Sequence, residues 1–528
     1  MLVLVMLLLL TLLLNRNNGA VMFGSAKRPL KFAGTWYDAN SKRLSEQIER
    51  YLVQVRPEVE NANLLADASP KEQEKQVLAI IAPHAGYMFS GRTAAAGYLA
   101  ASKNKVKRVF LLGPSHYQSF HGVALSSARS FATVFGDLDV DTAVVDDLGQ
   151  TILFQMRPDV HAQEHSLELQ LAFIRKVLGK VKIVPLLLGR IDDAAEASFL
   201  GNKIGEHLQD GDLIVVSSDF THFGPRYDYM PFQDHFPERV KALDLEAFSH
   251  LSKPDLGGFF SFYKRTDDTI CGVYAIATLL AMLPPKTEGV LLDYRTSRDH
   301  VAEDDMNSVS YMAVAFVNQG GWKEALAEKH SAAAAPLTDA EKQSLLKLAR
   351  QTLETFVRSG REPQLEDNME LTEKLRSPHG AFVTLYKFPH GLAHDKELRG
   401  CIGYILPIKP LYQSVIDNAV GAASRDFRFP AVEADELSQI HIDINVLTPP
   451  RKVSGYKDIR LGVDGILLTV SGKQAVFLPA VATEYGWTLE ETLDQLALKA
   501  GLSASAWKSP AARFEVFQSE AFEEDWRK

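Results

Sequence analysis

The chain has 528 residues, too many for one ordinary hydrophobic core, so two or three domains are expected. At 46% hydrophobic and 23% charged residues, its composition is that of a packed globular protein. Fifty-seven basic residues against 66 acidic ones leave a net charge of -9 with no long Lys/Arg cluster, which argues against a nucleic-acid partner, and two cysteines exclude a disulfide framework.

The chain opens on MLVLVMLLLLTLLL. Fourteen apolar residues are short for a membrane span and suit the core of a signal peptide. No Lys or Arg precedes the run, and the first, Arg16, follows it. Gly24-Ser25-Ala26 offers small residues for cleavage, while Met22 offers an alternative start. The expectation is a cytoplasmic protein. The other reading is export or anchoring through residues 1–20, the one route by which a membrane would enter.

From residue 76, apolar runs alternate with segments of helical period. QVLAIIAP, KRVFLLGP, VKIVPLLLG, DLIVVSSD and, late, VSYMAVAFV read as strands; HSLELQLAFIRKVLG and DAAEASFLGNKIGEHLQ read as helices. The alternation predicts an α/β domain over residues 27–320, a largely parallel sheet with flanking helices. The first two runs are each followed by a histidine, His84 and His116, 32 residues apart or about one βαβ unit. Both would emerge at the carboxyl edge of one sheet, where open α/β sheets keep their chemistry.

More candidates gather at that edge. Asp219 and His222 follow the fourth run in SSDFTHFG, Glu164 and His165 open a helix in QEHSLELQ, and Cys271 begins an apolar segment in DDTICGVYAI. Two imidazoles and a thiolate suit Fe(II), Cu or Zn, and three protein ligands leave a position open. His222 or His165 would then give or take a proton beside it. The plainer reading is that a histidine after one strand is a hydrogen-bonded loop residue and that Cys271 is a small buried residue at a helix start. Two histidines at consecutive strand ends, with SSDxxH at a third, weigh for a site.

A small-residue run ending at Pro336 marks a linker over 321–337, with the boundary near residue 333. Thr338 reads as the N-cap of EKQSLLKLARQTLETFV. The strands GAFVTLYKF, QIHIDINVL, DGILLTV and KQAVFL and a closing helix, TLEETLDQLALKAG, make residues 338–525 an α+β domain. In LRGCIGYI, Arg399 beside Cys401 would lower the thiol pKa; alternatively Gly400 and Gly403 serve a bend and Cys401 packs inward. Arg425, Asp426 and Arg428 in AASRDFRFP form either a surface ion-pair set or an anion-recognition cluster.

The strings AGTWYDAN, APHAGYMFSG, GPSHY, EHSLELQLAF, SSDFTHFG and DDTICG together resemble the Memo family. That resemblance implies a fold like the class III extradiol dioxygenases and one Fe(II) or Cu per chain, held by His84, His116 and Cys271. Asp219 and His222 would line the same pocket. The dioxygenases use a carboxylate where Memo proteins have cysteine, so their activity does not transfer with the fold. GAFVTL, LRGCIG, AASRDFRFP, HIDINVLTP, DGILL and ATEYGW are similar to the AMMECR1 domain, for which no reaction is implied. The pairing of the two implies a radical-SAM partner protein, since this chain lacks a CxxxCxxC cluster motif of its own. The expected function is metal-dependent oxidative chemistry on an unidentified small molecule or protein. The alternatives are a binding module that keeps only the cleft and, more remotely, a zinc hydrolase with Asp219 as base.

Overall fold

The computed structural model describes residues 26–64, 75–151, 153–299, 306–324, 326, 336–361, 363, 371–388, 396–405, 409–470 and 473–525. The apolar opening segment and residues 327–335 of the expected linker lie outside them. Among the described residues, no helix is long and apolar enough to cross a membrane.

Nine strands build the first domain's main sheet: β1 (Gln76–Ala82), β2 (Arg108–Pro114), β3 (Val123–Leu125), β4 (Phe154–Met156), β5 (Lys182–Leu188), β6 (Asp212–Ser217), β7 (His222–Phe223), β8 (Glu288–Thr296) and β9 (Ser308–Asn318). Their order is β7, β9, β1, β6, β2, β5, β3, β4, with β8 paired to β9. The central strands β1, β6, β2 and β5 run parallel and are buried on both faces, which is why they read as unbroken apolar runs. The expectation of a largely parallel sheet needs correcting outside this block. β9 is antiparallel to β1, β7 and β8, and β3 is antiparallel to β5. The last strand follows β8 without a crossover helix, and a strand that returns directly must pair antiparallel.

Helices α1 (Ser41–Asn61), α2 (Tyr87–Ala101), α3 (Glu168–Phe173), α4 (Ala194–Gly205), α5 (Phe236–Ser252), α6 (Leu256–Thr266) and α7 (Val273–Met282) accompany the sheet. They share with it a single large core. Trp322, expected in the linker, belongs to that core: it is 1% exposed and its indole N–H donates to Asp212 O at 3.0 Å.

The second domain has two cores where the sequence suggested one. In the first, β10 (Gly380–Lys387), β11 (Glu397–Tyr404), β12 (Ile440–Leu447) and β17 (Ser519–Glu523) form an antiparallel sheet ordered β11, β10, β12, β17 under α8 (Asp339–Ser359) and α9 (Leu411–Ser424). Thr338 caps α8 in a reciprocal capping box with Glu341. In the second, β13 (Arg451–Lys452), β14 (Gly465–Val470), β15 (Lys473–Phe477) and β16 (Ala512–Phe517) pack with α10 (Leu489–Lys499).

Candidate metal centre

β1 and β2 are separated in the sheet by β6, so their carboxyl ends bracket the end of β6. His84 follows β1, His116 follows β2, and Ser217 closes β6. Cys271 arrives from the turn before α7. The ligand atoms of His84, His116 and Cys271 all lie within 4.8 Å of one another, with His84 Nε2 3.3 Å from Cys271 Sγ. His84 is 2% exposed, whereas His116 faces solvent, so the trio opens on one side only.

Counting protons shows which nitrogens are free. The Ser217 hydroxyl gives its one proton to Ser166 O at 2.7 Å and accepts from Gln170 Nε2 at 2.9 Å. Its 2.9 Å contact with His84 Nδ1 is therefore one in which the ring donates, leaving a lone pair on His84 Nε2. The same logic holds for His116. Its Nδ1 lies 2.9 Å from Glu164 Oε1, and a carboxylate only accepts. Burial alone would raise the Glu164 carboxyl, yet hydrogen bonds from His116 and backbone N–H groups outweigh it and hold it at about 2. Both imidazoles thus have Nδ1 committed as a donor, beside a sulfur that itself accepts from Asp219 N at 3.1 Å. A donor set of two imidazoles and one thiolate, each fixed from behind, fits Fe(II) or Cu. Burial, and next the Asp219 charge, push the Cys271 thiol up, so its ligating form needs a cation beside it. Gly272 is required for the approach, because a Cβ there would lie 2.5 Å from the Ser218 side chain.

The remaining candidates take distinct places. His222 Nδ1 lies 2.8 Å from Phe220 O and 3.1 Å from Thr269 O, so it carries the proton and Nε2 is the acceptor. Burial lowers its pKa and keeps it neutral. Those two backbone carbonyls orient the His222 ring. Asp219 Oδ1 accepts from His84 N at 2.8 Å, fixing the loop that carries the first ligand. His165 stacks on His116 at 4.4 Å and meets Trp36 at a 45° tilt with centroids 4.4 Å apart, and burial followed by the two neighbouring imidazoles lowers it to about 3. Trp36 was not anticipated. Its segment is fastened by the buried Arg28–Glu168 pair and by Tyr37 Oη donating to Glu168 Oε1 at 2.9 Å.

The second-domain candidates need correction. Arg399 does not serve Cys401: two places apart on a regular strand they would share a face, but the register shifts at Arg399, which is left unpaired between Leu398 and Gly400. Arg399 pairs with Glu436 at 2.9 Å and donates to Pro430 O and Ala431 O. Arg425 donates to Asp417 O within its own helix and lies apart from Asp426, whose partners are Arg428 and Cys401 N. The Cys401 thiol is raised by burial, with the Thr384 hydroxyl and the Arg428 charge pulling the other way.

Residues 28–315 match the family model for Memo-like proteins, which is more than half the chain. The chain belongs to the Memo family. Residues 346–522 match the AMMECR1 model, so this Memo protein carries an AMMECR1 domain on the same polypeptide. It is 33% identical over 267 residues to the memo-1 homolog of Caenorhabditis elegans, covering 49% of this chain and 71% of the relative. It is 33% identical over 308 residues to MEMO1 of Xenopus laevis, covering 56% and 98% respectively. A Methanothermobacter thermautotrophicus protein is 40% identical over 197 residues, covering 36% of this chain and 98% of its own length.

Proposed function

We propose that the Memo half is a metal-dependent redox protein holding one Fe(II) or Cu ion on His84, His116 and Cys271. The observation that carries this reading is the convergence of ligand atoms from two imidazoles and one sulfur within 4.8 Å, with each ring's Nδ1 committed as a donor. Bound there, the ion would supply one-electron chemistry and a coordination position open to a small molecule. The protein's own part is positional. Glu164 and Ser217 fix the ring orientations, and Asp219 ties the His84 loop to the Cys271 turn. His222 accepts a proton at Nε2. Neutral His165 and Trp36 form an uncharged aromatic wall against which a flat part of a substrate packs. The substrate is an unidentified small molecule or modified protein, and a radical-SAM partner would supply any cluster chemistry.

Anaerobic Co(II) loading tests the assignment without needing a substrate. A thiolate-to-metal absorption band in the parent, absent from Cys271→Ser and His84→Ala, is the expected result. A folded parent that takes up no Co(II) would favour the cleft as a non-catalytic peptide-binding module, and Zn with hydrolytic turnover would favour a hydrolase.

A further inference from the structure

A cleft of about 640 Å3 lies away from the histidines, where the Memo domain meets the second core of the AMMECR1 domain. Its volume is in the range of small-molecule sites, and domain junctions are where such sites concentrate. Its AMMECR1 wall carries Lys452, Tyr456, Trp507, Lys508 and Arg513, and Asp147 of the Memo domain closes the far side. Glu490 is the other carboxylate on the lining, so cations exceed anions in a chain of net charge -9.

The cations are unevenly satisfied. Lys452 Nζ lies 2.9 Å from Asp147 Oδ2, and Arg513 pairs with the same carboxylate, which His207 Nε2 also approaches at 3.3 Å. Lys508 has no carboxylate partner among the described residues; its Nζ sits 4.9 Å from the Trp507 ring centroid. Tyr456 and Trp507 meet edge to face with centroids 4.9 Å apart. A guanidinium fork and two ammonium groups suit a phosphate, and the half-buried Tyr456 ring, backed by Trp507 at 2% exposure, offers a surface for a planar ring.

We propose that this cleft binds a small phosphate-bearing molecule with a planar ring. Arg513, Lys452 and Lys508 take the phosphate, and Tyr456, held edge to face by buried Trp507, takes the ring. The ligand competes with Asp147 for two of the three cations, so its binding is coupled to how firmly the two domains are latched, and the coupling is reciprocal. This site is independent of the metal centre.

Calorimetric titration of the full chain with AMP and with inorganic phosphate at low salt tests it. AMP is expected to bind saturably and more tightly than phosphate. Lys508→Ala, which leaves the Asp147 pairs untouched, and Arg513→Ala should each weaken AMP at least tenfold. Lys75→Ala, which breaks an exposed pair with Glu288 inside the Memo domain and away from the seam, should leave AMP affinity within twofold. Circular dichroism confirms that each variant is folded. Absence of saturable AMP binding, equal affinity for AMP and phosphate, or AMP binding unchanged in Lys508→Ala and Arg513→Ala overturns the proposal.

Discussion

Replacing Asp268 by Asn should stabilise the Memo domain at neutral and alkaline pH, against the usual expectation for a buried polar residue. Asp244 and Asp268 are 0% and 3% exposed. The Thr221 hydroxyl lies 2.7 Å from Asp244 Oδ1 and 3.1 Å from Asp268 Oδ2, and it has one proton to give. Asp244 already accepts from Thr221 N and from Tyr294 Oη, and it is the natural recipient of the shorter contact. The second contact then needs Asp268 to be the donor. Its Oδ1 has no hydrogen-bond partner among the described residues, which suits a carboxylic acid better than a buried carboxylate. Burial, and next the Asp244 charge, raise the Asp268 carboxyl from 3.8 to about 7.

The sign follows from proton binding. Between pH 3.8 and about 7 the folded chain keeps a proton that the unfolded chain releases. The associated stability is fully present below 3.8 and is lost as pH rises through about 7. Over that interval, at about 1.36 kcal/mol per pH unit, the loss amounts to about 4 kcal/mol. The Asn amide can donate to Thr221 as the acid does and never ionises. In denaturant titrations of the parent and Asp268→Asn across this range, the two should agree near pH 4 and diverge steadily, with the variant more stable by several kcal/mol at pH 8. Parallel curves, or a variant less stable at pH 8, would refute the proton count.

Glu164→Gln removes the charge behind His116 and sets an amide N–H against the N–H donors that Glu164 accepts from, so it should lower the melting temperature and, in a competition titration of the folded variant, lower metal affinity about 10- to 100-fold. An undiminished affinity would remove Glu164 from the site. Gly400→Ala places a Cβ 2.2 Å from Ala422 O, a backbone atom that cannot step aside, so thermal unfolding should show the AMMECR1 domain destabilised by about 1–3 kcal/mol or more. Cys401→Ser, by contrast, should shift that transition by less than about 1 kcal/mol. The reverse ranking would mean that the thiol, and not the close backbone approach, is what the LRGCIG strand maintains.

The parts of the site that follow from local pattern were legible in the sequence. An apolar run ended by Pro and followed by His marks a buried parallel strand and its carboxyl end, so His84 and His116 could be placed together from their spacing. Cys271 carried no strand-end mark; its place at the start of an apolar helix-like segment made it a candidate, and the family resemblance assigned it as a ligand. The supporting atoms were less accessible because they depend on segments far apart in the chain. The Ser166–Ser217–Gln170 arrangement joins two loops and a helix, and Trp36 reaches His165 across about 130 residues. Side-chain alternation misled at Arg399 and Cys401, two residues apart and so expected on one face of β11, because an irregularity in the strand pairing at Arg399 interrupts the alternation. The antiparallel pairing of β9 was missed because a fully buried strand reads the same in either direction. The split of the second domain into two cores was hidden because periodicity identifies strands without saying which of them share a sheet.

The claim on which the account rests is that His84, His116 and Cys271 bind one redox metal. Elemental analysis of protein expressed from Met22 and purified without oxygen tests it most directly, with His84→Ala and Cys271→Ser prepared in parallel. The account predicts close to one Fe or Cu per parent chain and loss of that metal in both variants. A folded, monodisperse parent free of metal, or variants that retain it in full, would contradict it.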